Sequence, residues 1–345
     1  MPQSEFHIGD RRIGDDFAPF IIAEAGINHE GDFDKAIELI DAAKEAGADC
    51  IKFQSHITEA EMIPTDMKPA DISDELLWDI IKRCELTEEQ EHEIKKYCEN
   101  HDIIYLCTPF SREAADRLER LGVAGYKIGS GECNNIPLLR HIAAKGMPMI
   151  LSTGMNDLAS IKRSVAVILE YDVPLLVNHC VSEYPTPYED MQIDTVGVLR
   201  SELNLPIGIS DHSLGIYSTL GAVALGAVAV EKHFTISRSW PGPDTGLSIE
   251  PDELKDLVQG SEIIWKSKGV RDKIHPAEQP VIEFAYASVV AIADVKAGEQ
   301  LTRDNIWVKR PGTGPILAPE FESVLGKTAL TDISTNTQLS PELFN

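Results

Sequence analysis

Short apolar runs alternate with helix-like segments along most of this chain, and that alternation limits the possible folds more than any other feature. In the first helix-like segment, Phe33, Ile37 and Ile40 recur at helical spacing, and Gly47 is a helix-stopping residue. Runs typical of buried strands occupy residues 20–25, 50–54, 103–108, 124–128, 148–153, 175–180, 206–210 and 227–233. Strands that alternate with helices pair in parallel. About eight such units in roughly 250 residues predict an α/β fold, the (β/α)₈ TIM barrel.

The alternation stops after residue 265. Residues 266–280 are polar and contain Gly269, Pro276 and Pro280, which is typical of a linker. Strand-like pieces follow at 287–292, 306–309 and 326–329, separated by turn residues. The sequence therefore predicts a barrel domain at 15–265, a linker at 266–284 and a small, mostly β domain at 285–345. Between the second and third strands, residues 57–80 are rich in Asp, Glu, Met and Pro and are expected to form a lid-like insertion.

Charge and composition exclude several classes of partner. The 345 residues carry a formal net charge of −25, which leaves no basic surface for nucleic acid or for an anionic membrane. No apolar run approaches the ~20 residues of a membrane span, and the first residues lack the pattern of a signal peptide. The six cysteines form no C-x-x-C pair, so we expect reduced core residues in a cytoplasmic protein.

Polar side chains stand at the end of nearly every predicted strand. Active sites of parallel barrels form at the carboxyl ends of the strands, so this ring predicts a functional site at the barrel mouth. The ring consists of Glu24, Lys52, Gln54, Thr108, Lys127, Ser130, Glu132, Ser152, Thr153, His179, Ser182, Ser210, His212, Glu231 and His233.

Two lysines within the ring suggest an anion site. Lys52 alternates with Ile51 and Phe53, so it faces the barrel interior if those two residues face the helices. Lys127 likewise lies in a short apolar run. Ammonium and hydroxyl groups are the donors that phosphate and carboxylate need. Hydroxyls are supplied by Thr108, Ser130, Ser152 and Ser210. The alternative is that each lysine only pairs with Glu24 or Glu132.

Two histidines and one turn admit two interpretations each. His212 and His233 end adjacent predicted strands, where two imidazoles could bind one metal ion or could serve structural hydrogen bonds. Asp244 closes the rigid sequence Pro241-Gly-Pro-Asp, which either holds its carboxylate over the mouth or forms a solvent-facing turn.

Several of these segments resemble the bacterial sialic acid synthase family. The motifs are FIIAEAGINHEG (20–31), YKIGSGECNN (126–135), LSTGM (151–155), ISDH (209–212), EKHFT (231–235), PGPD (241–244) and WVKRPG (307–312). They occur in the family's order and cover nearly the whole chain from residue 20. The resemblance implies a barrel followed by an antifreeze-like (SAF) domain, in a domain-swapped homodimer. It further implies an N-acetylneuraminate synthase that condenses phosphoenolpyruvate with an N-acetylated hexose such as N-acetylmannosamine.

The resemblance also implies roles for individual residues. His212 and His233 match ligands of a divalent metal, Mn²⁺ or Mg²⁺, and Glu24 and Glu132 are the candidates for proton transfer or for stabilising a cation. Phosphoenolpyruvate would be held by Lys52, Thr108, Lys127, Ser130, Ser152, Ser182 and Ser210. The sugar would be contacted by Gln54, Tyr184 and Asp244, together with Phe284 and Arg310 from the second domain of the partner subunit.

Two departures from the family pattern concern the sugar. No Asn occurs between residues 55 and 99, and Trp240 stands where a sialic acid synthase has Arg. A sister enzyme that makes legionaminic or pseudaminic acid from a diacetamido-trideoxyhexose is therefore the closest alternative.

A 3-deoxy-sugar-acid synthase acting on a phosphorylated aldose would need further Arg or Lys residues. A non-catalytic glycan- or ice-binding protein would have a degraded polar ring.

Overall fold

A closed barrel of eight parallel strands confirms the fold class that the alternation predicted. The structure is a computed structural model, and it describes residues 5–69 and 74–345. A hairpin of β1 (Glu5–Ile8) and β2 (Arg11–Gly14) precedes the barrel. The barrel strands are β3 (Phe20–Gly26), β4 (Cys50–Ser55), β5 (Ile104–Pro109), β6 (Tyr126–Ile128), β7 (Met149–Ser152), β8 (Leu175–Cys180), β9 (Ile207–Asp211) and β10 (Ala229–His233). The barrel closes where β10 pairs with β3.

Helices cover the outside of the barrel between successive strands. In α1, the Asp32 side chain accepts hydrogen bonds from the first N–H groups of the helix. Gly47 ends α1 with a φ of 90°, as its position in the sequence predicted. The helices of this unit are α1 (Phe33–Ala46), α2 (Thr58–Glu61), α3 (Leu77–Cys84), α4 (Glu88–Asn100), α5 (Arg112–Leu121), α6 (Ile136–Ala143), α7 (Leu158–Leu169), α8 (Thr195–Leu203), α9 (Tyr217–Ala224) and α10 (Pro251–Ser267).

The alternation of side chains along β4 decides which residues reach the barrel interior. Ile51 and Phe53 pack in the apolar layer between strands and helices. Lys52 therefore points inward, as expected, and is only 2% exposed. The predicted lid-like insertion contributes α2 and α3, and its residues 70–73 lie outside the described part of the chain.

The N-terminal hairpin closes the end of the barrel opposite to the predicted site. Phe6, Ile8 and Ile13 are buried against inward-facing residues of the barrel strands, among them Leu106 and Leu176. The predicted domain limit of residue 15 left these strands out. Two of the four residues in each of these strands are polar, so they show no apolar run like those that mark the barrel strands.

The second compact unit comprises residues 269–345. A short helix, α11 (Gln279–Ala285), lies within the segment expected to be a linker. Two antiparallel strands, β11 (Ser288–Ala291) and β12 (Ile306–Lys309), pair beside the helix α12 (Phe321–Val324). The strand-like piece predicted at 326–329 is not a strand, because only isolated bridges join Thr328 to Gln300 and Ala329 to Phe344.

The cysteines belong to the interior of the protein, as the sequence predicted. All six cysteines are buried and free of disulfides. Across residues 5–69 and 74–345, no helix has both the length and the apolar character that crossing a membrane requires.

A buried ion pair fixes the loop that follows β9. Lys232 is 1% exposed and lies 3.2 Å from Asp211 Oδ1, and its ammonium also donates to the Ser213 carbonyl. The Asp211 carboxylate accepts further hydrogen bonds from Ser213 N–H and from the Thr219 hydroxyl. Because β9 and β10 are adjacent, this pair ties the segment after β9 to the outer face of β10.

We expect Lys232→Met to destabilise the protein, because it leaves the buried Asp211 carboxylate without a counter-charge. Breaking a buried pair in this way costs about 3–5 kcal/mol. The urea midpoint of unfolding measures the loss. Lys266→Met is the matched control, since Lys266 forms an exposed pair with Glu262 and should shift the midpoint little. Equal midpoints for the two variants would contradict this assignment.

Candidate active site

Two lysines and two glutamates form a buried cluster at the barrel mouth. Lys52 Nζ lies 2.7 Å from Glu24 Oε2 and 3.6 Å from Glu231 Oε1. Lys127 Nζ lies 3.0 Å from the same Glu231 oxygen. Lys52 also donates to Thr108 Oγ1 at 3.1 Å, and the Ser210 hydroxyl donates to Glu231 Oε1 at 3.2 Å. Each lysine thus has a carboxylate partner before any ligand arrives.

Burial and charge act against each other in this cluster. Burial acts to raise the pKa of Glu231, but Lys127 and Lys52 bring it down to about 2. Burial acts to lower the pKa of Lys52, and the two glutamates reverse that effect and raise it. The pKa of Lys127 is lowered by burial despite Glu231, and the pKa of Glu24 is raised by burial despite Lys52. Glu24 is therefore the carboxylate of the cluster that most readily takes up a proton.

One cavity of about 380 Å³ opens onto this cluster. Its volume suits a small metabolite. The hydroxyls of Ser152 and Ser182 are buried there without a hydrogen-bond partner among the described residues, so they are available to a ligand. The predicted residues that line it are Glu24, Lys52, Gln54, Thr108, Lys127, Ser130, Ser152, Ser182, Tyr184, Ser210, His212 and His233.

Two glycines shape the cavity wall. Gly154 donates its N–H to Ser130 Oγ at 3.0 Å, and a Cβ at this position would lie 2.2 Å from Ser182 Oγ. Any side chain at residue 154 would therefore displace the two serines. Gly26 lies at a register shift between β3 and β4 and has a φ of +54°. Such a bulge turns the neighbouring Glu24 toward the mouth.

The two histidines lie side by side beneath a tyrosine. The ring centroids of His212 and His233 are 5.3 Å apart, and Tyr184 stacks on His212 at 4.2 Å. His212 Nδ1 donates to the Val181 carbonyl at 2.7 Å, which leaves its Nε2 as the nitrogen with a free lone pair. His233 Nδ1 is buried without a hydrogen-bond partner, and the nearest Asp244 carboxylate oxygen is 3.7 Å away.

These nitrogens suit a two-histidine metal site with open positions. Within the described residues, no group of three or more His, Cys, Asp or Glu side chains could hold a metal ion. A metal bound by His212 and His233 would therefore take its other ligands from substrate or water. Burial raises the pKa of Asp244 to about 6, so this nearby carboxyl is less firmly anionic than usual.

Several predicted residues lie outside the cavity wall. Glu132 accepts a hydrogen bond from the Asn135 amide and does not pair with Lys127, which corrects the partner that the sequence suggested. His179 points away from the mouth, because its Nε2 contacts the Met191 carbonyl at 2.7 Å. In the second unit, the Arg310 guanidinium lies 5.9 Å from the ring centroid of Phe284, and both side chains are exposed.

Glu231 lines the cavity, although the sequence analysis assigns it no role. It belongs to the polar ring but is not among the predicted site residues. The spacing to His233 could have revealed Glu231. His233 was expected to face inward, and residue 231 lies two positions earlier on the same strand, so both side chains share one face. Phe110 and Cys180 also line the cavity, and no pattern in the sequence marks them.

A larger groove of about 610 Å³ lies at the opposite end of the barrel, beside the hairpin. Its cations are engaged: Arg11 pairs with Asp49 at 3.0 Å, Lys44 donates to the Asp102 carbonyl at 2.6 Å, and Lys95 pairs with Glu99. The unpartnered hydroxyls of Ser152 and Ser182 line the mouth cavity and not this groove, so chemistry and not size locates the site.

Known relatives share both parts of the chain. A protein of Methanocaldococcus jannaschii without assigned function is 43% identical over 311 residues, which are 89% of this chain and 89% of that protein. The N,N′-diacetyllegionaminic acid synthase of Legionella pneumophila is 35% identical and covers 96% of each chain. Other relatives include the human N-acetylneuraminate-9-phosphate synthase, at 31% identity, and a pseudaminic acid synthase of Campylobacter jejuni, at 35%.

Solved structures and family models agree with these relatives. The crystal structure of the N-acetylneuraminic acid synthetase of Leptospira borgpetersenii, in complex with citrate, has a TM-score of 0.74 at 35% identity. It covers 81% of this chain and 95% of its own. The NeuB family model matches residues 39–273, and the SAF domain model matches residues 286–345. Since the family model spans more than half of the chain, the protein belongs to the NeuB family of synthases and carries a SAF domain.

Proposed function

We propose that this enzyme condenses phosphoenolpyruvate with an N-acetylated hexose, forms a carbon–carbon bond and releases phosphate. The observation that carries the proposal is the cavity in which Lys52, Lys127 and two unpartnered serine hydroxyls lie beside a pair of histidines. Ammonium and hydroxyl donors suit a phosphorylated carboxylic acid. The named synthases among the relatives support the same chemistry.

In the proposed reaction, C3 of phosphoenolpyruvate attacks the aldehyde carbon of the open-chain sugar. The positive charge that develops at C2 lies close to the carboxylates of Glu24 and Glu231 and is stabilised by them. Water then adds at C2, and the tetrahedral intermediate expels phosphate with cleavage of the C–O bond. Glu24 is the candidate for moving the proton, because its burial raises its pKa toward the working range. Glu132 would act only if the Asn135 contact opened.

His212 and His233 would hold a divalent metal, Mn²⁺ or Mg²⁺. Such an ion supplies Lewis-acid polarisation of a carbonyl oxygen. The residues of this chain orient the site: the Val181 carbonyl fixes the His212 ring, and Tyr184 packs over it. The free cysteines suit a reducing compartment, and we infer that the enzyme works in the cytoplasm.

N-acetylmannosamine is the sugar we propose, which makes the product N-acetylneuraminate. A diacetamido-trideoxyhexose is the second candidate, favoured by the relatives that make diacetyllegionaminic acid. Among the residues that line the cavity, the Lys and Arg side chains are Lys52 and Lys127, and both are engaged. A second phosphate on the sugar would thus lack a cation, which favours an unphosphorylated substrate.

Phosphate release tests this function. Purified enzyme with Mn²⁺ and phosphoenolpyruvate is offered N-acetylmannosamine, a diacetamido-trideoxyhexose or a phosphorylated N-acetylhexosamine, and mass spectrometry identifies each product. We expect the highest kcat/KM with N-acetylmannosamine. The highest value with the diacetamido sugar establishes the alternative, and no phosphate release with any N-acetylated sugar refutes the proposed function.

The second unit is proposed to complete the sugar site of a partner subunit in a domain-swapped homodimer. Arg310 and Phe284 together present an exposed guanidinium beside an exposed ring. A guanidinium can donate to an amide carbonyl, and a ring can cover a methyl group. An N-acetyl substituent contains both of these groups, an amide carbonyl and a methyl group.

We expect Lys127→Met to weaken phosphoenolpyruvate use, because a charge-assisted contact is worth roughly 1.5–3 kcal/mol. The KM for phosphoenolpyruvate should rise, or kcat should fall, while the KM for the sugar stays close to its original value. Steady-state kinetics measure this, with Lys266→Met on the protein surface as the control. Unchanged kinetics for Lys127→Met would show that the lysine serves only to pair with Glu231.

Removal of divalent metal should abolish turnover, and Mn²⁺ or Mg²⁺ should restore it. Calorimetric titration of the apoenzyme with Mn²⁺ gives a readout that does not depend on activity. His212→Ala and His233→Ala should each lose most of the Mn²⁺ affinity, whereas His92→Ala, an exposed histidine on α4, should not. Full activity after exhaustive chelation would contradict the metal proposal.

Arg310→Ala should raise the KM for the sugar far more than the KM for phosphoenolpyruvate. Mixed with Lys127→Met, it should regain activity, because a heterodimer would contain one site with both intact parts. Subunit exchange is followed with two differently labelled chains. Demonstrated exchange without regained activity would show that each site is built from one chain.

A further inference from the structure

A continuous chain of partly buried hydrogen bonds runs from the insertion after β4 to the charged cluster. The Glu61 carboxylate of α2 contacts His56 Nδ1 with both oxygens at 3.0 Å. His56 Nε2 contacts Gln54 Oε1 at 3.0 Å. Gln54 Nε2 in turn donates to Glu24 Oε1 at 3.2 Å. Glu24 ends the chain on Lys52.

While Glu24 is the ionised partner of Lys52, the directions of the hydrogen bonds from Gln54 to Glu24 and from His56 to Gln54 are determined. The Glu24 carboxylate can only accept from an amide, so the NH₂ group of Gln54 must face it. The carbonyl oxygen of Gln54 consequently faces His56, and it can only accept. His56 Nε2 must therefore carry a proton, whichever way the proton between Nδ1 and Glu61 is shared.

His56 itself is held without freedom to turn. It is 2% exposed, and its ring stacks on Phe110 with centroids 4.6 Å apart and an angle of 11° between the planes. Glu61 is fixed because α2, which carries it, makes two contacts with the C-terminal end of α3. The Thr58 hydroxyl donates to Glu85 at 2.8 Å, and Lys82 lies 2.9 Å from Glu59. The ring orientation thus follows from Phe110 of the cavity wall and from Glu61, which does not line the cavity.

We propose that His56, held by Glu61, is a positioning residue that fixes the orientation of the Gln54 amide and thereby presents its second N–H to the substrate. Without the Nε2 donor, the Gln54 carbonyl oxygen loses its partner, and only the contact of the NH₂ group with Glu24 still holds the amide. The inference rests on the proposed function, because the sugar is the substrate expected at Gln54. It assigns to the insertion after β4 a part in sugar selection through His56, although His56 does not touch the sugar.

Two conservative substitutions separate the two nitrogens of His56. A glutamine amide can replace the Nε2 donor, whereas an asparagine amide reaches only the Nδ1 position. We expect His56→Gln to keep the sugar KM within about twofold and His56→Asn to raise it about five- to tenfold, the range for one neutral hydrogen bond. The KM for phosphoenolpyruvate should change less than twofold in both.

A double-mutant cycle distinguishes positioning from general damage. In a Gln54→Ala background, His56→Asn should raise the sugar KM no further, because the group that it positions is gone. Additive effects, equal effects on both substrates, or a His56→Asn enzyme with the original sugar KM would each overturn the inference. Melting temperatures of all variants show whether each is folded.

Neutron diffraction from crystals of the unaltered enzyme tests the same point without substitutions. We expect a deuteron on His56 Nε2 and the Gln54 ND₂ group facing Glu24. A bare Nε2, or a Gln54 oxygen facing Glu24, overturns the inference even if every His56 variant fails to fold. If the enzyme condenses no N-acetylated sugar, the proposed function is refuted instead. The neutron result would then still show the direction of the hydrogen bonds between His56, Gln54 and Glu24.

Discussion

The contact between Lys127 and Glu231 spans the barrel interior, and the arrangement of the mouth depends on it. Lys127 lies on β6 and Glu231 on β10, two strands that are not neighbours in the sheet. Only a closed barrel brings these side chains together. Removing Glu231 would leave the buried ammonium of Lys127 without its carboxylate partner, which is strongly unfavourable. Lys52 and Ser210 reach the same carboxylate from β4 and β9, so four strands meet on one residue.

In the proposed function, this cluster is what allows an acidic protein to bind an anionic substrate. The formal net charge of −25 provides no long-range attraction for a phosphorylated substrate. Affinity must come from short contacts inside the cavity, where the surrounding low dielectric strengthens them. The two glutamates keep the two lysines charged and in place. When an anionic ligand binds, each lysine would exchange a glutamate for the ligand, and the lysine side chains are already ordered.

The sequence predicted the barrel and most of the mouth because both follow from periodicity. Alternation placed Lys52 inward, and parallel strands placed Thr108, Lys127, Ser152 and Ser210 at one end. Periodicity does not predict which charged groups pair. Glu132 follows Lys127 closely in sequence and is one of the two partners that the alternative interpretation offers, whereas the actual partner is 104 positions away. His179 was misjudged because the strand alternation turns it outward, to the Met191 carbonyl. The sequence does not predict the hairpin because half of the residues in its two strands are polar, which leaves no apolar run.

The N-terminal hairpin of β1 and β2 determines how far the protein can be truncated from its N-terminus. Phe6, Ile8 and Ile13 form the floor on which the innermost apolar side chains of the strands rest. A shortened protein that began at the first barrel strand would keep every residue of the mouth and yet expose Ile22, Leu106 and Leu176 to water. Loss of these 19 residues, which lie far from the cavity, would thus appear as insolubility and could be mistaken for a defect of the catalytic site.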